Sequence, residues 1–150
     1  MWMKIYETSL TDDVLERLIA FSADWEKEGS CYGYRRNERA DIEGNRIFLA
    51  EEDDRVIGYL FGHLEKSKNI RSIMPDETTY FEIEELYVVP DKRSQGVGGA
   101  LFCFAEEKLR EEEIAYVMLS TATKNHRAIL HFYIDEMGMD FWSARLFKKL

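Results

Sequence analysis

One stretch of the chain, residues 80–121, constrains the fold more than any other. Tyr80–Val89 is rich in aromatic and β-branched residues, which predicts a strand, and Pro90 ends it. A polar loop, a helix over residues 98–113 and a second strand over residues 116–121 follow. Two strands joined through a helix pair in parallel by a right-handed crossover, so this stretch predicts helices packed on a sheet.

The rest of the chain predicts four more strands and three more helices in the order β-α-α-β-β-β-α-β-α-β. The strands are Met3–Thr8, Ile47–Glu51, Val56–Leu64 and Phe141–Lys148, and Asp53-Asp54 gives the middle two a hairpin turn. The first helix is capped by Thr11 or Asp12, and residues 31–44 give a weak signal for a second. The last helix spans Asn125–Met137, with Gly138 as its C-terminal cap. We therefore predict an α/β (α+β) fold whose mixed, mostly antiparallel sheet carries helices on both faces. No repeat or linker divides the chain, so residues 1–150 are expected to form one domain.

Charge and cysteine content exclude several classes of function. The net charge of −9 disfavours nucleic-acid binding, which draws on basic side chains, and no apolar run is long enough to cross a membrane. The N-terminus lacks the pattern of a signal peptide. The two cysteines, Cys31 and Cys103, are expected to be reduced, with Cys103 buried in an apolar run. These features predict a cytoplasmic protein without a nucleic-acid or membrane partner.

The loop after the central strand contains the main chemical motif. Gly96, Gly98 and Gly99 stand between a strand and a helix, where backbone N–H groups and the helix dipole favour an anion, and Arg93 adds a cation. A strand–helix turn that uses glycine only for its backbone freedom is the alternative. A P-loop would need Gly-Lys-Ser/Thr, and a dinucleotide fingerprint would need glycine in place of Leu101, so neither motif is present.

Two motifs together resemble the GCN5-related N-acetyltransferases (GNAT family). Arg93-Ser-Gln-Gly96-Val-Gly98 matches the family's Arg/Gln-x-x-Gly-x-Gly/Ala signature, and Asn125-His-Arg-Ala-Ile-Leu-His-Phe-Tyr133 followed by Gly138 resembles its second element. This chain has Gly138-Met139 where the family usually has Gly-Phe. The architecture agrees over residues 2–150, and the resemblance is close over residues 80–139.

The resemblance implies acetyl-CoA as co-substrate and a set of residues that bind it. The glycine-rich turn would hold the pyrophosphate, the strand before it would pair with the pantetheine arm, and Asn125 would contact that arm. The implied binding residues are Leu86, Tyr87, Val88, Arg93, Ser94, Gln95, Gly96, Val97, Gly98, Gly99 and Asn125.

The resemblance also implies the catalytic residues. The Leu86 N–H would polarise the thioester carbonyl, and Tyr133 would be the general acid, although an apolar helix face makes a core aromatic the alternative. Glu82, Glu84 and Glu85 are candidates for the base, with Glu84 favoured. Strand alternation puts Glu82 and Glu84 on one face unless a bulge intervenes, and solvated strand residues are the alternative.

The predicted function is direct acetyl transfer in a ternary complex to a primary amine of a small cationic or polyamine-like acceptor. The alternatives are acetylation of a protein N-terminus or lysine, and a non-catalytic CoA-binding sensor or interaction module. The three histidines have no metal-ligand spacing with a cysteine or aspartate, so no metal is expected. Many members of the family form dimers, so a homodimer is expected.

Overall fold

The elements of the computed structural model, which describes residues 2–150, follow the predicted chain order as far as residue 139. The strands are β1 (Met3–Thr8), β2 (Arg46–Glu52), β3 (Arg55–Lys66), β4 (Thr79–Val88) and β5 (Val117–Met118). The helices are α1 (Asp12–Glu28), α2 (Arg39–Ile42), α3 (Val97–Glu111) and α4 (His126–Leu130), and α4 continues as a π-helical turn over His131–Glu136.

The five strands form one sheet in the order β1-β2-β3-β4-β5. The first four pair antiparallel, and β4 pairs with β5 in parallel after the crossover through α3. The sheet is therefore mixed and mostly antiparallel, as predicted. Asp53 and Asp54 both have positive φ angles, 51° and 60°, which is the geometry of a two-residue hairpin turn between β2 and β3.

Helices cover both faces of the sheet, which confirms the predicted fold class. Phe21 of α1 lies against Tyr59 and Tyr87, with ring centroids 6.1 and 6.0 Å apart. Phe104 of α3 lies 6.1 Å from Phe48, measured between ring centroids. Phe48 pairs with Leu60, the residue after Tyr59, so Phe48 faces the side of the sheet opposite to Tyr59. The apolar side chains between each helix and the sheet form one buried core.

Helix α1 shows how local sequence sets the element boundaries. The Thr11 side chain accepts a hydrogen bond from the Val14 N–H at the start of the helix, as a threonine N-cap does. Gly29 ends it with a left-handed φ of 61°. Of the two predicted caps, Thr11 is therefore the one used. Within residues 31–44 the weak helical signal corresponds to the single turn α2.

Two predictions about the C-terminal half are wrong, and a third is wrong in part. Residues 141–148 form no strand, because no neighbouring strand pairs with them and an unpaired strand has no ladder to stabilise it. The predicted strand over residues 116–121 is reduced to Val117–Met118, since the chain leaves β4 after Met118. Cys103 is exposed rather than buried, because α3 turns Leu101, Phe102 and Ala105 toward the core instead.

Among residues 2–150, no helix is both long enough and apolar enough to span a membrane.

Candidate active site

The site is built on a split in the sheet. Strands β4 and β5 pair only at Phe81 with Val117 and at Glu82 with Met118. Beyond these pairs the two chains separate, and Ser120 faces the glutamates of β4 across a cavity. A split of this kind leaves one side of a central strand without a protein partner.

The backbone of β4 presents free hydrogen-bonding groups to this split. The Val89 N–H donates to the Ile57 carbonyl of β3. Because alternate residues of a strand point to the same neighbour, Leu86 and Val88 direct their N–H and C=O groups away from β3. The Val88 carbonyl accepts a hydrogen bond from Arg93 on that side, at 2.8 Å. An extended arm could therefore pair with β4 at Leu86, as the family resemblance implies for pantetheine.

The glycine-rich turn leaves its N–H groups unpaired. Within the described chain, none of the backbone N–H groups of residues 94–99 donates to another residue, and Gly96 caps α3 without a side-chain bond. Gly96 has a φ of 85°, which favours glycine. A Cβ at Gly98 would lie 3.6 Å from the Phe132 ring, and one at Gly96 would meet nothing within 4 Å. The turn therefore fits a large anion such as the CoA pyrophosphate.

Arg93 is held by protein groups beside the turn. Its guanidinium lies 2.6 Å from a Glu28 carboxylate oxygen, and it stacks 5.3 Å from the centre of the Tyr87 ring. The Tyr87 hydroxyl donates to the same carboxylate at 2.9 Å. Arg93 was predicted to lie beside an anion, but Glu28 and the Val88 carbonyl bind its guanidinium instead. Arg93 thus anchors the turn to α1.

Tyr133 lies in the π-helical turn, half-buried against Phe102 and Phe132, with ring centroids at 6.2 and 5.0 Å. Its hydroxyl makes no hydrogen bond to any other described residue. Burial raises the pKa of Tyr133 to about 12, so the hydroxyl keeps its proton at neutral pH. Single π-helical turns recur at functional sites because they redirect a side chain without ending the helix.

Asn125 and Gly138 bracket this helix. The Asn125 side-chain oxygen accepts from the Ala128 N–H at 3.4 Å, so Asn125 is the N-cap of α4. Gly138 has a φ of 75°, and the following N–H, from Met139, bonds to the Tyr133 carbonyl. The predicted cap role of Gly138 is confirmed, and it fixes the backbone of Tyr133 from the C-terminal side.

An acidic cavity of about 390 Å³ lies at the split. It is lined by His63, Glu65, Tyr80, Glu82, Ile83, Glu84 and Ser120. A β-bulge places Glu84 as an extra residue in β4, because Phe61 pairs with Glu85 and the next residue, Gly62, pairs with Ile83. Glu82 and Glu84 both line the cavity, but the bulge breaks the alternation that was predicted to place Glu85 on the face opposite to Glu82.

His63 organises the carboxylates of this cavity. Its Nε2 lies 2.9 Å from a Glu65 oxygen, and its Nδ1 lies 3.6 Å from a Glu84 oxygen and 3.1 Å from the Asn45 amide oxygen. Burial and the neighbouring charge of Glu84 raise the pKa of Glu82. The cavity therefore contains several carboxylates that attract a cation, and one of them, Glu82, binds a proton more tightly than usual.

Glu85 lies on the same face of the sheet as Glu82, because their strand partners, Phe61 and His63, are two residues apart on β3. Glu85 nevertheless belongs to a separate hydrogen-bond network. One of its oxygens accepts from Tyr59 at 2.8 Å, from Asn37 at 3.0 Å and from Tyr34 at 3.2 Å. Burial raises the pKa of Glu85 in spite of these three donors. The structure thus separates Glu85 from the other two candidate bases and surrounds it with buried polar groups under α1.

Several residues of this site have no signal in the sequence. His63, Glu65 and Ser120 join Glu82 and Glu84 only through strand register, and Glu28 meets Arg93 across 65 positions of the chain. No short motif encodes such contacts, since each depends on the packing of distant segments. Residues 2–150 contain no group of three or more histidine, cysteine, aspartate or glutamate side chains arranged to hold a metal ion.

The profile of the Acetyltransferase (GNAT) family matches residues 8–139, which is most of the chain. The class of protein that fold and site define is thus an acetyl-CoA-dependent N-acetyltransferase. This chain belongs to the GNAT family. No curated protein matches its sequence significantly.

Solved structures share the fold at low sequence identity. An aminoglycoside acetyltransferase from an uncultured soil metagenomic sample superposes with a TM-score of 0.73 at 16% identity, covering 100% of this chain and 99% of that one. A transcriptional regulator from Bacillus halodurans gives 0.71 at 20% identity, with coverage of 98% and 100%. A predicted acetyltransferase with acetyl-CoA from Clostridium acetobutylicum gives 0.69 at 14%, with coverage of 99% and 96%.

Proposed function

We propose that the protein acetylates a primary amine of a small cationic acceptor, by direct attack within a ternary complex. The observation that carries the proposal is the acidic cavity at the split between β4 and β5, beside the open backbone edge of β4. Its volume of about 390 Å³ is within the range of small-molecule sites. Carboxylates that line a cavity raise the local concentration of a cation, and the chain has a net charge of −9.

The turn and the edge of β4 supply the donor half of the site. Acetyl-CoA brings the activated acetyl thioester when it is bound. The N–H groups of residues 94–99 face its pyrophosphate in this proposal, and Leu86 offers an N–H to the thioester carbonyl. Val97 and Gly98 contribute through their backbone at the start of α3, as do Ser94, Gln95, Gly96 and Gly99.

The cavity supplies the acceptor half. An ammonium group must lose a proton before its nitrogen attacks, and we assign Glu84 as the base that accepts this proton. Glu82, with its raised pKa, is the second candidate, while Tyr59 and two further donors hold Glu85 in a separate network. The Tyr133 hydroxyl, which is protonated at neutral pH, donates to the sulfur as the carbon–sulfur bond breaks.

Aminoglycosides and polyamines are the acceptor classes that this chemistry favours, because both carry several ammonium groups. One structural neighbour is an aminoglycoside acetyltransferase, and this supports the choice of test compounds. Protein amines are the second candidate, since Glu65 and Glu84 are half-exposed at the cavity and a peptide end could reach them.

The test measures kcat/KM with acetyl-CoA for four acceptors: an aminoglycoside, spermidine, a peptide N-terminus and a lysine peptide. We expect turnover of at least one small polyamine or aminoglycoside, and a loss of about 10²-fold or more in Glu84→Gln. Glu111→Gln, an exposed glutamate on α3, is the matched control. Turnover of peptides alone would overturn the small-molecule assignment. CoA binding without any turnover would favour a sensor, and a larger loss in Glu82→Gln would move the base to Glu82.

A further inference from the structure

The three residues that lead from β4 into the glycine-rich turn each form an ion pair, and each pair reaches a different element. The pairs are Asp91 with Arg55 of β3, Lys92 with Glu52 of β2, and Arg93 with Glu28 of α1, at 3.2, 2.9 and 2.6 Å. The segment over residues 91–93 is therefore held from three directions, immediately before the turn.

Of these three pairs, only the one between Lys92 and Glu52 is buried at both ends. The Glu52 side chain is 7% exposed and that of Lys92 is 22% exposed. Each of the other two pairs has an arginine that is 42% or 54% exposed. An exposed pair contributes little to stability, whereas the loss of one partner from a buried pair leaves an uncompensated charge inside the protein. The pair of Lys92 with Glu52 therefore restrains the segment most strongly.

Stability alone does not explain this buried pair. The Glu52 Oε1 accepts from the Lys92 ammonium, but the Glu52 Oε2 is buried and has no hydrogen-bond partner among residues 2–150. A carboxylate that is buried and half satisfied costs free energy, and apolar side chains of similar volume stabilise a core as well or better. Apolar packing has no preferred direction, however, while an ion pair holds its two groups in one geometry. The pair is thus suited to fixing a position.

The Lys92 pair acts on the face of the sheet opposite to Glu28. Phe48 and Glu52 share a face of β2 by alternation, and Phe48 packs against α3. Glu28 belongs to α1, on the other face, where it also accepts from a tyrosine hydroxyl. Because Lys92 and Arg93 are adjacent, their pairs hold neighbouring residues from the two sides of the sheet. Together they fix the rotation of the backbone as well as its location.

The turn that follows has a backbone that needs such restraint. Ser94 has a φ of 61°, a left-handed conformation that residues other than glycine seldom adopt, and Gly96 has a φ of 85°. Conformations of this kind persist only where the surrounding structure imposes them. Here they accompany the unpaired N–H groups of residues 94–99, which form a concave site for an anion.

We propose that Glu52 is a positioning residue for coenzyme A. Through Lys92 it fixes the segment that leads into the turn, and so holds the N–H groups of residues 94–99 in the arrangement that binds the pyrophosphate. The proposal rests on the proposed function only in placing the pyrophosphate at this turn. Donors that are already in place lose less entropy when a ligand binds, so the loss of Glu52 weakens the binding of CoA.

Isothermal titration with CoA tests the proposal without an amine acceptor. We expect Glu52→Gln and Lys92→Met each to raise the Kd for CoA about tenfold. Arg55→Gln breaks the exposed pair of the same segment and is the matched control, with a Kd within about twofold of wild type. Pantetheine lacks the pyrophosphate, so its Kd, measured by NMR titration, should be the same in all four proteins.

A double variant separates positioning from stability. Each single variant should lower Tm, but Glu52→Leu combined with Lys92→Met removes both charges and should return Tm to near the wild-type value. The Kd for CoA should stay raised in the double variant, because apolar packing does not fix the direction of the segment. The N–H groups of Lys92 and Arg93, which donate to the Val89 and Pro90 carbonyls, should also exchange hydrogen faster than in wild type.

Three results would overturn the proposal, and they differ in what else they affect. An unchanged Kd for CoA in single variants with a lowered Tm would show that the pair has only a structural role. A double variant that regains both Tm and CoA affinity would show the same. If wild-type protein binds pantetheine as tightly as CoA, the pyrophosphate does not lie in the turn, and the proposed placement of the coenzyme fails as well. The choice of acceptor can fail independently, since no measurement uses one.

Discussion

A Cβ atom on Gly62 would overlap the carbonyl oxygen of Glu82 in the neighbouring strand. Gly62 pairs with Ile83 directly beside the bulge that inserts Glu84. Only glycine lets β3 approach β4 this closely, so this contact sets the position of the two cavity glutamates.

The first prediction concerns this contact. Gly62→Ala should move the bulge, lower kcat/KM for the amine by about tenfold or more, and cost about 1–3 kcal/mol of stability. Acetyl-CoA affinity should change little. Gly58→Ala is the control, because its Cβ would lie 2.9 Å from the Tyr87 carbonyl and close to Val97, on the α3 side. If kcat/KM for the amine is the same in Gly62→Ala and Gly58→Ala, the bulge does not position the cavity glutamates.

The second prediction concerns Tyr133. Tyr133→Phe should lower kcat by about 10²-fold or more while the Kd for CoA stays the same, because only proton donation is lost. With a pKa of about 12, Tyr133 should produce no step in the pH profile between pH 6 and 10. Tyr6→Phe on β1 is the matched control. An unchanged kcat would show that Tyr133 is only a packing residue.

The third prediction concerns the pH dependence of stability. Burial raises the folded-state pKa of Glu85, so the folded state holds its proton more tightly than the unfolded chain does. This stabilisation is complete below the unfolded pKa of about 4.3 and is lost as pH rises through the folded pKa. In urea titrations, the free energy of unfolding of Glu85→Gln should therefore increase relative to that of wild type as the pH rises from 4.5 to 7.5. Glu107→Gln, on the exposed side of α3, should show no such trend.

Truncation at the same position should behave differently. Glu85→Ala leaves the hydroxyls of Tyr34 and Tyr59 and the Asn37 amide without their acceptor. We expect a loss of about 1–3 kcal/mol at pH 7, since unsatisfied buried donors are costly. If Glu85→Ala is as stable as Glu85→Gln, the hydrogen bonds accepted by the Glu85 side chain do not stabilise the fold.

The fourth prediction separates two roles of Arg93. If Arg93 anchors the turn through Glu28, then Arg93→Ala and Glu28→Gln should weaken CoA binding to a similar extent. Each should lower stability by up to about 1 kcal/mol, because the pair is partly exposed. Isothermal titration with CoA and thermal melts measure both quantities. Weaker CoA binding in Arg93→Ala alone would show that the guanidinium itself contacts the anion.

Short stretches of adjacent residues were sufficient to predict the turns and helix caps of this fold. The Asp53-Asp54 turn, the Thr11 cap and the Gly138 terminus each depend on a few adjacent residues, and each is found where the sequence predicted it. The strand signal over residues 141–148 is also local, but it describes a preference that only a partner strand can satisfy. Among the described residues no such partner is present.

The sequence by itself determined the element order as far as residue 139, the parallel crossover and the two motifs that resemble the GNAT family, because these depend on periodicity and short spacing. Only the tertiary structure decided that His63 joins Glu82 and Glu84 in one cavity, and that a bulge returns Glu85 to the face of Glu82, where it meets Tyr59. It also decided that Arg93 pairs with Glu28. A single-residue bulge reverses the face of every later side chain in a strand, and ion pairs between distant segments exist only after those segments pack.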